Sequence, residues 1–328
     1  MKTMRWSPVL SLLAVVLVLA GCAETMQPAG AGGDKVVIRL ASPFKAGHIL
    51  VDAAEKFRAL VGQGSGGRIV VQIDAGTLSE EEINNRNRAG QLEMQSNGTM
   101  FLPSQYYFFS GPYVMKDFAH FMRVWNGRLG QGARAEMEKN NLKYLGTVYR
   151  GLRQMTAQKP IYTPADVYGL KLRLPNVPTW LTVWKAMDAD PIAVPLPELY
   201  GSLKTGKAQA SEGDLPQIAS FKLDEVQRYL IITNHLVQTG GIVIHKPFFD
   251  RLSPADQALV VKAAQEAEAW ANHKIQGGEA DILVGLQRKG MQVVIPDAES
   301  FRAKAKAAVE GLFQKEWPVT SWAEVLAQ

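Results

Sequence analysis

The sequence predicts an α/β fold of two lobes, and three observations carry that prediction. Short apolar runs with strand composition alternate with stretches of helical spacing along nearly the whole chain. Behind an apolar leader about three hundred residues remain, more than one usual domain and within reach of two lobes. Cys22 is the single cysteine, so the chain can form no internal disulfide and must be held by packed cores.

Each element follows in order. Met1, Lys2 and Arg5 make a basic start, positions 9–20 are almost wholly apolar, and Leu19-Ala20-Gly21-Cys22 follows. This is the pattern of a bacterial export signal over 1–21, too short to span a bilayer comfortably. Its small-residue end at a cysteine resembles a lipobox, which implies lipidation of Cys22 and a protein anchored outside the cytoplasm. Positions 22–34 continue with small, polar, Gly and Pro residues lacking apolar periodicity, a tether that lets a folded body stand clear of the membrane.

From Asp34 the pattern is regular. VVIRLA (36–41) reads as a buried strand, and Ile49, Ala53, Phe57 and Leu60 give helical spacing over 46–61. GQGSGG supplies a turn before the strand RIVVQIDA (68–75). Segment 79–90 is a polar helix with Ser79 as N-cap and Glu80 to Glu82 favourable at its positive end. LEMQSN (92–97), KYLGTVYR (143–150), KLRL (171–174), PIAVP (191–195), YLIIT (229–233) and GIVIH (241–245) read as strands separated by helical segments. Ser253 to about Gly290 reads as one long helix, followed by the strand MQVVIP and a terminal helix. In such architectures ligands bind in the crevice outside the strand ends.

The usual catalytic signatures, G-x-S-x-G, the Walker loop, H-E-x-x-H and the dinucleotide glycine fingerprint, are missing. The five histidines lack ligand spacing, so neither a metal nor a cofactor is expected. His48, after Gly47 at the start of a helix, either caps backbone or faces a crevice. Without Lys2 and Arg5 the formal charge falls from +5 to +3, which gives no case for nucleic acid.

Two cations stand out: Arg173 in GLKLRLPN (169–176) and Arg153 in RGLRQMT (150–156). A guanidinium among apolar neighbours needs an anion, and its planar fork suits a carboxylate. Either arginine could instead pair with an internal Asp or Glu, or point to solvent; Arg150 and Lys171 are expected to point to solvent. Asp214 has two readings, an acceptor for a ligand ammonium or hydroxyl, or a helix cap. Glu212 is assigned to structure.

Ordered segments over most of the chain resemble one family, the solute-binding proteins of tripartite ATP-independent periplasmic (TRAP) transporters. They are AGHILVDAAEKF (46–57), GTLSEEEINNRNRAGQLEM (76–94), GPYV (111–114), RGLRQMT, GLKLRLPN, PELYGSLKTGKAQASEGD (197–214), TNHL (233–236) and LSPADQALVVKAA (252–264). The resemblance implies a periplasmic-binding-protein-like fold with crossing strands and a long interdomain helix. One lobe would take 35–150 plus about 239–278, the other 151–238 plus about 279–328. It further implies a receptor that closes over a small organic acid and hands it to TRAP membrane permease subunits. By similarity Arg173 forms the principal salt bridge to the ligand carboxylate, Arg153 assists, and Asn176 lies nearby.

Departures from the family pattern fall where ligand choice is made. Glu212-Gly213-Asp214 replaces a common Glu-Asn-Pro, removing an amide and adding the Asp214 acceptor. Asn97, Gly98 and Thr99 stand where some sialic acid-binding members carry charge, which argues against a sialic acid-like ligand. Leu196 replaces a common aromatic, making one wall aliphatic; Trp180 either restores aromatic surface or, four residues before Trp184, packs in the core. Two other functions are compatible with these residues. One is a sensory subunit that presents its ligand to a membrane kinase, which neighbouring permease genes would argue against. The other is a hydrolase using Glu212 and Asp214 as paired carboxylates.

Overall fold

A computed structural model describes residues 34–328; the expected export signal, Cys22 and the tether up to residue 33 lie outside the described residues. The strands are β1 (Val36–Ser42), β2 (Ile69–Ala75), β3 (Met94–Asn97), β4 (Leu142–Ala157), β5 (Lys171–Leu174), β6 (Asp190–Ala193), β7 (Ala210–Asp214), β8 (Tyr229–Ile231), β9 (Val237–His245) and β10 (Gln292–Val294). They are hydrogen-bonded in the order β2-β1-β3-β9-β4-β7-β5-β6, with β8 joining β4 to β10. The central strand β4 belongs to both ends of this array. Its residues 142–152 pair antiparallel with β9, and 153–157 pair antiparallel with β7.

The helices needed to place the site are α1 (Ile49–Gly64), α2 (Glu80–Arg88), α3 (Pro178–Ala186), α4 (Leu215–Ser220) and α5 (Pro254–Arg288). β1 and β2 are parallel, so a crossover is required, and α1 supplies it. Its Leu50, Ala53, Ala54, Phe57 and Val61 are spaced as one buried face. Ser79 caps α2 as expected, its hydroxyl accepting the Glu82 N–H at 3.1 Å, an arrangement that stabilises such a helix by about 1 kcal/mol.

The long helix α5 starts at Pro254 behind the Ser253 cap and runs 35 residues, about 52 Å at the ordinary rise. Ala263, Ala264, Ala267 and Ala271 form its buried stripe. Such small side chains permit the close approach of α5 to α1 and β4, which are its chief packing partners. None of the helices among the described residues is long and apolar enough to cross a membrane.

The register of β4 against β9 is interrupted between Tyr144 and Gly146 and between Tyr149 and Gly151. At the second interruption Arg150 is the extra residue and Gly151 takes φ of +102°, a left-handed conformation that favours glycine. Asn272 of α5 binds the loosened backbone, accepting the Tyr149 N–H at 2.7 Å and donating to the Thr147 carbonyl at 2.9 Å.

Candidate functional site

The bulge at Arg150 sets the polarity of the site. In an uninterrupted strand residues 150 and 153 would point to opposite faces, and one would meet solvent. The extra residue resets that alternation, so Arg150 and Arg153 both reach Asp214 at the end of β7, at 2.6 and 3.9 Å. The expectation that Arg150 points to solvent is therefore incorrect: it is 1% exposed, its guanidinium lying 4.3 Å from the Phe44 ring centroid. Gly151 inside a strand pattern was the signal that could have revealed it. Lys171 is exposed, as expected.

Arg153 is bound on several sides. Its Nη2 donates to Glu212 Oε1 at 2.6 Å and to the Glu212 carbonyl at 3.1 Å, its Nε donates to Glu212 Oε2, and its Nη1 donates to Gln238 at 3.2 Å. Its guanidinium also stands 4.8 Å from the centroid of Trp180. Both readings of Trp180 meet here, since this core residue of α3 presents an aromatic face to the cation while its indole N–H donates to the Ser110 carbonyl at 2.6 Å.

Glu212 is structural, as assigned. Burial opposes its ionisation, but Arg153 and His235 outweigh burial and hold its carboxyl at about 2. His235 stands 3.2 Å from Glu212 Oε2 and bonds Thr233 through its other nitrogen.

Asp214 caps α4, accepting the Gln217 N–H at 2.9 Å, which is one of its two expected roles. Burial opposes its charge, yet Arg150 and His48 hold it well below the usual carboxylate range. His48 caps α1 through Nδ1, which accepts the Leu50 N–H at 3.1 Å. That bond leaves the imidazole proton on Nε2, 3.3 Å from Asp214 Oδ1. The ring stacks on Phe44 at 3.9 Å, and burial holds its pKa below the ordinary histidine value. Glu212 and Asp214 are thus each ionised and held by an arginine. The proton a hydrolase would need from one of them is not available.

Arg173 differs from its two neighbours. It is 1% exposed, and its Nε and Nη2 both donate to the Val194 carbonyl, at 2.9 and 2.7 Å. Among the described residues no carboxylate lies within the 4.0 Å of an ion pair. Burial lowers its pKa to about 10, with Glu212 and Glu80 opposing that effect from a distance.

Next to Arg173 along both bonded segments is a small cavity. It is lined by Pro175 and Asn176, by Pro195 and Leu196, and across from them by Ser79, Glu80, Glu81 and Met100. Its volume is about 40 Å³, room for roughly three waters. The structure thus brings Asn176 and Leu196, which follow Arg173 and its partner Val194 in the chain, together in one cavity wall. Asn97 and Thr99 do not line this cavity, and their polar groups have internal partners. The Asn97 amide donates to Gln95 and to the Glu80 carbonyl and accepts the Gly98 N–H, and the Thr99 hydroxyl bonds Ser110 at 2.9 Å. Gly213 is buried where a Cβ would meet Gln217 Nε2 at 2.6 Å, so a side chain there would displace the Gln217 amide.

Glu80 was read from the sequence only as a favourable charge at a helix start, and its place in the cavity wall was missed. Among the described residues no group of His, Cys, Asp and Glu could hold a metal ion.

Residues 40–316 match the bacterial extracellular solute-binding proteins, family 7. The 2,3-diketo-L-gulonate-binding periplasmic protein YiaO of Escherichia coli is 30% identical over 81% of this chain and 83% of its own length. The sialic acid-binding periplasmic protein SiaP of Vibrio cholerae is 35% identical over 58% of this chain, and the match spans 60% of that relative, less than two thirds of its length. A TRAP periplasmic solute-binding protein from Roseobacter denitrificans, solved with bound L-galactonate, superposes with a TM-score of 0.82 at 27% identity, covering 89% of this chain and 99% of the other. The α/β periplasmic-binding-protein fold and the long helix are shared with that structure, and the chain belongs to family 7 of the bacterial extracellular solute-binding proteins, the TRAP type.

Proposed function

We propose that this protein is a lipid-anchored periplasmic receptor that captures a carboxylate-bearing organic acid and delivers it to a TRAP membrane permease. The observation that carries the reading is the buried Arg173 guanidinium, which donates to one backbone carbonyl and has no carboxylate of its own among the described residues. A ligand carboxylate meets that need with two charge-assisted bonds. Arg153, already neutralised by Glu212, contributes field and the Trp180 platform, and Asn176 and Leu196 bound the rest of the ligand. The 2,3-diketo-L-gulonate and L-galactonate of the relatives support a sugar acid.

Entry of such a molecule requires the walls to part, because the present cavity of about 40 Å³ is far below its size. We assign the motion to two lobes, 35–150 with about 239–278 and 151–238 with about 279–328, turning about the crossing strands and α5. Cys22 carries the lipid and 22–34 the tether.

A panel of sugar acids, keto acids and amino acids tested by calorimetry and thermal shift decides the reading. Saturable binding of at least one carboxylate that is lost in Arg173→Ala is the expected result. No binding across the panel would overturn it. Radiolabelled palmitate incorporation that disappears in Cys22→Ser tests the anchor separately.

A further inference from the structure

Glu80 is the third carboxylate around the three buried arginines, and it differs from the other two. Glu212 and Asp214 are fully buried and bound to Arg153 and Arg150. Glu80 is only partly buried, and among the described residues its carboxylate makes no hydrogen bond and no ion pair. Its field still acts on Arg150, Arg153 and Arg173. Its position is fixed at both ends. Its carbonyl accepts the Asn97 amide at 3.0 Å, and its Oε1 leans over Gly98, where a Cβ would collide with it and would lie 3.3 Å from Arg150 Nη1. From there it lines the same cavity as Asn176 and Leu196, the residues that follow Arg173 and its partner Val194 in the chain.

The charges can be counted. Glu212 and Asp214 are taken up by Arg153 and Arg150, so Arg173 alone has no bonded carboxylate, and one ligand carboxylate pairs with it. The remainder of that ligand extends into the cavity and meets Glu80. There a hydroxyl or ammonium group donates a hydrogen bond to a free carboxylate, whereas a second ligand carboxylate meets a like charge at close range.

We infer that Glu80 is a specificity-determining residue that admits monocarboxylates carrying a hydrogen-bond donor beyond the carboxylate and rejects dicarboxylates of the same length. The inference rests on the proposed receptor function and names the ligand class within it.

The test uses pairs of acids that differ only at one end, an aldonate and its aldarate: L-galactonate with galactarate, D-gluconate with D-glucarate, and D-erythronate with meso-tartrate. Calorimetry on the purified protein should show at least one aldonate bound about tenfold or more tighter than its aldarate. Glu80→Gln should narrow that ratio by about tenfold or more, chiefly by improving the aldarate, because it removes the repulsion and keeps the shape. Gly98→Ala, which displaces the carboxylate without altering it, should move the ratio the same way and covers the case in which the first variant does not fold. A wild-type protein that binds both members of each pair equally, or a ratio unmoved in both variants, overturns the inference while leaving the receptor function intact. If no carboxylate of any pair or of the wider acid panel binds, the receptor function falls and the inference with it.

Discussion

Arg153 and Arg173 are cations of similar burial on the two strands that flank β7, yet the chain neutralises one and leaves the other. Around Arg153 the protein places Glu212, Gln238, Trp180 and, farther off, Asp214. Around Arg173 it places one carbonyl. The difference marks two uses of the same residue: a buried arginine with its own carboxylate holds the fold together, and one without it is the one we propose takes an anion from outside. Burial alone does not separate the two; the internal partner does.

The largest effect should come from breaking each side of this comparison. Arg173→Met should lower affinity for the acid by a hundredfold or more, on the order of 3 kcal/mol, as expected when one partner of a desolvated charge pair is truncated. Its effect on unliganded stability should be smaller than that of Arg153→Met. The latter leaves Glu212 as an uncompensated buried charge and should cost about 3–5 kcal/mol in a urea titration. Equal losses of stability in the two variants would remove the distinction.

The next effect is in acid. Glu212 at about 2 and Asp214 below the usual carboxylate range have folded values under their unfolded value of roughly 4. Their contribution is full above that value and is lost as pH falls toward 2. His48 and His235 are held below the ordinary histidine value by burial, so protons taken up by the unfolded chain begin to weaken the fold below a pH of about 6.5. Denaturant midpoints should fall most steeply below a pH of about 4, and Glu212→Gln should flatten that part of the curve. Arg173→Met should leave its slope unchanged, since no carboxylate of the chain pairs with Arg173.

Glu268 on α5 is the reverse case, a largely buried carboxylate with no cation, and burial raises its carboxyl to about 7. A raised carboxyl value contributes stability that is present below the unfolded value and lost as pH rises through 7. Glu268→Gln should therefore stabilise the protein at pH 8, by about 1–2 kcal/mol after allowance for its partial exposure, and change little at pH 5. A loss of Tm at pH 8 would show that its charge is compensated.

Much of this architecture was legible because it rests on local rules. Ser79 and Ser253 cap the helices their sequences announce, and the α5 boundaries agree with the Ser-Pro-Ala-Asp start and the glycine stop. The burial of Arg173 was also legible, since it lies in an apolar strand. What the chain hid was everything that depends on registration between distant segments. The bulge that turns Arg150 inward is a property of β4 against β9. The pairing of Arg153 with Glu212 depends on β4 against β7, and the entry of Glu80 depends on the missing Cβ of Gly98, eighteen residues from it. Asn97 and Thr99 were read as ligand-facing, but their hydrogen bonds are used within the protein, which a strand pattern cannot reveal.

The most direct test of the account is a crystal structure of the protein with its acid bound. The ligand carboxylate should lie in hydrogen-bond contact with the Arg173 guanidinium, about 2.7–2.9 Å from its nitrogens, while Arg150 and Arg153 keep Asp214 and Glu212. A carboxylate seated on Arg150 or Arg153 instead, with Arg173 still bound only to the Val194 carbonyl, would contradict it.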